Sequence, residues 1–114
     1  MESNFKITKQ SDILLIALSG KLLADDKVNE IAVKVLNELS TKNRHVIFDL
    51  SLLEYINSSG INMFMKVLTK ARINTGEVVF FGVKGNVEKL FKIAKLNEIY
   101  TIYNSEIEAI NHFK

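Results

Sequence analysis

The chain has 114 residues, 47% hydrophobic and 25% charged, with no proline, cysteine or tryptophan. That apolar content excludes disorder, no apolar run approaches the ~20 residues that cross a bilayer, and the length suits one domain burying roughly two-thirds of its unfolded surface. Without cysteine there is no disulfide, thiolate metal site or thiol nucleophile, and a net charge of +2 with Arg44 and Arg72 as the only arginines argues against nucleic acid as a direct partner.

Met1-Glu2-Ser3-Asn4 has neither the basic nor the apolar region of a signal peptide, so a cytoplasmic location is expected. Phe5-Lys6-Ile7 alternates and predicts an edge strand. Residues 13–18 form a continuous apolar run, as in a strand covered on both faces, and Ser19-Gly20 should end it. Val28, Ile31, Ala32, Val35, Leu36 and Leu39 carry the spacing of an amphipathic helix. Asp25 or Asp26 should cap that helix, and Glu30 with Lys34 should form an exposed i, i+4 pair.

Val46-Ile47-Phe48 reads as a buried strand, followed by a loop over residues 49–57. A second helix should begin near Ser58, capped by Ser58 or Ser59, and carry Ile61, Phe64, Met65 and Leu68 into the core until Gly76 stops it. Residues 78–81 predict another buried strand. Val87, Leu90, Phe91 and Ala94 form a third helical stripe, and residues 99–102 a short strand. Ser105 and Glu108 have the spacing of a capping box and should open a last helix.

The order β-β-α-β-α-β-α-β-α implies an α/β domain over residues 1–114, a mostly parallel sheet of about five strands with about four helices and right-handed crossovers. Ligands and partners of such sheets meet the loops beyond the carboxyl ends of the strands, here residues 20–26, 49–60 and 82–86.

Chemistry on those loops is sparse. His45 and His112 lack a triad partner or a metal-ligand spacing and read as ordinary boundary residues, so neither an enzyme nor a cofactor is expected. The glycines form no nucleotide fingerprint; Gly82 and Gly85 read more simply as a turn needing positive φ than as an anion site. Asp25-Asp26, Asp49 and Lys84 are the residue types of a receiver domain but fall on the wrong strands. Lys84, Lys89, Lys92 and Lys95 give the third helix a basic side, read first as a solvated face.

Residues 49–60 are the informative segment. Two serines followed by a glycine make the helix start small and open to a macromolecule. A phosphate on Ser58 would add about −1.5 to −2 charges where helix amides tolerate an anion, leaving the helix intact and repelling whatever packs over it. Asn57-Ser58-Ser59 is also a glycosylation sequon, accidental in a cytoplasmic chain.

At this segment the chain resembles the STAS domain family, specifically the bacterial anti-sigma factor antagonists. Asp49-Leu50-Ser51, then Ile56-Asn57-Ser58-Ser59-Gly60, stand at the spacing of that family's hallmark, and Ser19-Gly20-Lys21-Leu22 resembles its turn after the second strand. The resemblance implies a partner-switching module that binds an anti-sigma factor, itself a serine kinase. Phosphorylation at Ser58 would release it, and a PP2C-type phosphatase would reverse the modification. The face so implied comprises Leu23, Asp25, Asp26, Asn57, Ser58, Ser59, Gly60 and Met63, with Leu52 adding apolar surface; packing into the core is the simpler role for Met63. Asn57 and Leu23 stand where the family usually has aspartate. A non-phosphorylated STAS subunit of a larger assembly, such as a lipid-transport ATPase complex, is the alternative.

Overall fold

Phe5–Gln10 (β1) folds back on Ile13–Leu22 (β2) as an antiparallel pair around Ser11 and Asp12. This is a computed structural model that describes residues 5–114; Met1–Asn4, read above for targeting features, lie outside the described residues. After β2 the chain alternates through α1 (Asp25–Glu38), β3 (His45–Ile56), α2 (Ser58–Ile73), β4 (Val78–Phe81) and α3 (Gly85–Ile93). A 3₁₀ turn (Leu96–Glu98), β5 (Thr101–Tyr103) and α4 (Glu106–Asn111) complete it.

The strands lie in the order β1-β2-β3-β4-β5, and every pair after the first is parallel. The α/β class, the mostly parallel five-stranded sheet and the four helices are therefore as expected. Because each crossover steps to the next strand in the same direction, a constant hand puts α1, α2 and α3 on one face. There Leu14, Ile16 and Leu18 of β2 and Phe48 and Leu50 of β3 pack with Ile31, Val35, Phe64, Val67 and Phe91. Phe48, Phe64 and Phe80 form the centre, their ring centroids 4.8 to 5.1 Å apart. The other face is covered by α4, whose Ala109 is buried with Ile13, Ile47, Val79 and Phe81.

The largest departure from expectation is at residues 49–57, which are strand rather than loop up to Ile56; β2 likewise runs through Ser19-Gly20 to Leu22. Two bulges account for it. Ala17 pairs with Asp49 but Ser19 with Leu52, and Gly20 with Leu53 but Lys21 with Tyr55, so β3 twice holds one residue more than β2. Each extra residue resets the alternation of faces, and the buried positions become Leu50, Leu53 and Ile56, three apart instead of two.

Smaller corrections follow from packing. α2 buries Met63, Phe64, Val67, Leu68 and Ala71, whereas Met65, expected in the core, is exposed. Met63 is only 2% exposed, so it is a core side chain and offers no surface to a partner. Ala94 is exposed, and residues 99–102 divide between the end of the 3₁₀ turn and β5. The N-cap of α1 is Ala24 with no side-chain bond, which places Asp25 and Asp26 in the first turn. Lys27, not Lys34, pairs with Glu30 at 3.5 Å, and the Lys34 ammonium lies over the Phe5 ring. Ser105 does cap α4, its Oγ accepting the Glu108 N–H, while the Glu108 carboxylate accepts from Asn104 instead of closing the box.

Candidate functional site

Neighbouring parallel strands deliver the chain into α1 and α2 side by side, so the two helix starts meet above the carboxyl ends of β2 and β3. Asn57 leaves β3 with extended backbone and caps α2, its Oδ1 accepting the Gly60 N–H at 3.1 Å. Neither serine is the cap. Asparagine caps as well as serine does, and Asn57 is the first residue of the run to leave the strand. Its Nδ2 donates to the Leu23 carbonyl at 3.0 Å and to Asp25 Oδ1 at 3.2 Å.

Asp25, expected to cap its own helix, thus serves the neighbouring one. Ser59 Oγ donates to the same carboxylate oxygen at 2.7 Å. Asp26 Oδ1 instead accepts the Lys27 backbone N–H. Ser58, the first residue of α2, is exposed, and among the described residues its hydroxyl makes no hydrogen bond. One serine is committed and the other is free.

Gly60 seats this helix start directly on the strand: a Cβ there would overlap the Ile56 side chain. Of the apolar residues expected at the surface, Leu23 is 55% and Leu52 73% exposed. Tyr55, not among the residues expected on this face, is also exposed on the bulged end of β3, and the Lys21 ammonium lies 5.6 Å from its ring centroid. Its signal was the three-residue spacing of buried positions around it.

The other candidates lie apart from this joint. Gly82 and Gly85 take φ of +77° and +58°, as a turn requires. Lys84, Lys89, Lys92 and Lys95 are all exposed. Asp49 accepts from the Ser51 N–H and hydroxyl within β3. His45, at the opposite end of β3 from Ser58, stacks on Phe113 and accepts the Glu77 N–H at Nδ1. His112 shares a 2.7 Å hydrogen bond with the Tyr103 hydroxyl. Among the described residues no cluster of histidine and carboxylate side chains could hold a metal ion, and no helix is long and apolar enough to cross a membrane.

Residues 4–109 match the family model described as the STAS domain. BtrV of Bordetella bronchiseptica, provisionally assigned as an anti-sigma factor antagonist, is 27% identical over 103 residues, covering 90% of this chain and 89% of that one. The anti-sigma F factor antagonist of Paenibacillus polymyxa is 22% identical over 116 residues, covering 100% of this chain and 97% of its own. Among solved structures, the antagonist SpoIIAA in its unphosphorylated form superposes with a TM-score of 0.83 at 19% identity, covering 96% of this chain and 95% of that one. Its phosphorylated form, from Bacillus, superposes at 0.75 with 18% identity, covering 96% and 99%. With residues 4–109 of its 114 matched by that family model, the chain belongs to the STAS domain family.

Proposed function

We propose that this domain antagonises an anti-sigma factor. Unmodified, its α1–α2 joint binds an anti-sigma factor that is also a serine kinase, and so frees a sigma factor. Phosphorylation of Ser58 ends the binding, and a PP2C-type phosphatase restores it. The observation that carries this reading is the exposed, uncommitted Ser58 hydroxyl on the first residue of α2. The likeness to the anti-sigma F factor antagonist of Paenibacillus polymyxa, matched over 97% of its length, and to BtrV, matched over 89%, supports it.

The physics is that of a switch on a rigid seat. A phosphate at Ser58 gains from the free amides and dipole of the helix start, so the fold survives. A partner lying over Leu23, Asp25, Asp26 and Ser58 would meet a new double charge and be displaced. Asn57, Ser59 and the buried Gly60 frame that surface rather than cover it. The domain is then a kinase substrate and binding module acting in the cytoplasm, and no catalytic step is asked of it.

Binding to the anti-sigma factor of the same host tests the proposal. Ser58→Asp should abolish complex formation and Ser58→Ala should retain it while preventing phosphate incorporation from ATP. Equal binding by the two variants would overturn the switch. A constitutive subunit of a larger assembly, such as a lipid-transport ATPase complex, is the second reading, favoured by the neutral Leu23 and Asn57 where antagonists usually carry aspartate. It predicts no phosphate on Ser58 under a kinase active on a control substrate.

A further inference from the structure

Two adjacent hydroxyls sit at the start of α2, and the residue type alone does not distinguish them as phosphate acceptors. We propose that Asp25 makes the distinction, holding the Ser59 hydroxyl out of reach and barring a phosphate from it, so that modification is confined to Ser58. The inference rests on the proposed switch for the fate of Ser58; the exclusion of Ser59 has its own geometric basis.

The Ser59 hydroxyl donates to a carboxylate oxygen 2.7 Å away, a charge-assisted bond of the stronger kind. That oxygen also receives the Asn57 amide, which in turn holds the Leu23 carbonyl. To react, Ser59 must leave this joint. Its product would then set a phosphate dianion against the Asp25 carboxylate, where the starts of α1 and α2 meet. Ser58 carries none of these restraints. Transfer there forms a bond from Ser58 Oγ to the γ-phosphorus of ATP while the bond from that phosphorus to the ADP oxygen breaks, and the hydroxyl proton passes to the kinase's base.

The same geometry accounts for the neutral residue at position 57. An aspartate there could still cap Gly60, but it could not donate to Leu23 or to Asp25, and it would face the Asp25 carboxylate with a like charge. Asn57 and Asp25 therefore belong together: a carboxylate in the first turn of α1 calls for an amide at the cap of α2. Asp25 is a positioning residue in this scheme.

Thermal unfolding of glutamate variants tests the exclusion without any kinase. Ser58→Glu should melt within about 2 °C of the parent, and Ser59→Glu should melt about 5 °C or more below it. In an Asp25→Asn background the gap between the two glutamate variants should close. Equal melting of Ser58→Glu and Ser59→Glu, or a gap that persists with Asp25→Asn, would overturn the proposal. Peptide mass mapping after incubation with ATP and the host's anti-sigma kinase gives the second readout. The parent should carry phosphate on Ser58 alone and Asp25→Asn on both serines; an Asp25→Asn protein still modified only at Ser58 counts against the proposal. A parent modified at neither serine overturns the switch, and the melting cycle then decides the role of Asp25 by itself.

Discussion

At the scale of single residues, Asn57 does the most with one side chain. Its oxygen satisfies the Gly60 amide and its nitrogen bridges to Leu23 and Asp25, so it caps one helix and ties it to another. Asn57→Ala should lower stability by about 1–2 kcal/mol, the upper part of the range for a lost cap. Asn57→Asp should keep the cap and lose both donated bonds, a cost of about 1 kcal/mol. Urea unfolding midpoints at unchanged slope check both. The capping run itself was readable, but not its register: Asn57, Ser58 and Ser59 are all good caps, and the choice fell to where β3 ends.

At the scale of elements, β3 and α2 show how bulges and burial move a phase. A strand whose buried residues fall three apart at Leu50, Leu53 and Ile56 does not satisfy a test for alternation, so residues 49–57 read as a loop. In α2 the sequence offers Ile61, Met63, Phe64, Met65, Val67 and Leu68 within two turns, enough apolar residues for more than one stripe. The ring cluster of Phe48, Phe64 and Phe80 selects the stripe that turns Met63 inward and leaves Met65 at the surface, where its sulfur accepts from the Tyr100 hydroxyl. Phe64→Ala should therefore cost about 3–5 kcal/mol and Met65→Ala less than about 1 kcal/mol. Chemical denaturation of the two variants separates them; similar losses would mean the phase is otherwise.

At the scale of the whole molecule, the end of the sheet away from Ser58 is met by the residues that follow α4. Phe113 stacks on His45, whose other ring nitrogen lies 3.7 Å from the Asp12 carboxylate, and Asp12 also binds Arg44 at 3.1 Å. Burial pushes the His45 imidazole below its ordinary value of 6.5, Asp12 opposing the shift and Arg44 adding to it. A histidine that binds its proton less readily when folded stabilises the fold above its unfolded pKa, and the contribution is lost as pH falls through the folded one. The Arg44 guanidinium holds the Asp12 carboxyl below its ordinary value, so the loss from Asp12 comes at more acid pH. Melting temperature should fall between about pH 7.5 and pH 5.5, and His45→Gln should flatten that slope. A parallel decline in both proteins would remove His45 as the cause.

The order of elements, the face of α1 that meets the sheet and the Ile56–Gly60 motif were all determined by sequence, because periodicity, caps and turn residues act over a few neighbours. So was the mostly parallel sheet, since strands separated by helices have few other ways to pair. Tertiary structure decided the bulges of β3, the burial of Met63, the cap of α2 and the partner of Ser59. Each is a choice among locally equivalent options. The deciding contact joins residues far apart in the chain, as Asp25 and Ser59 are, and forms only once β2 and β3 lie side by side.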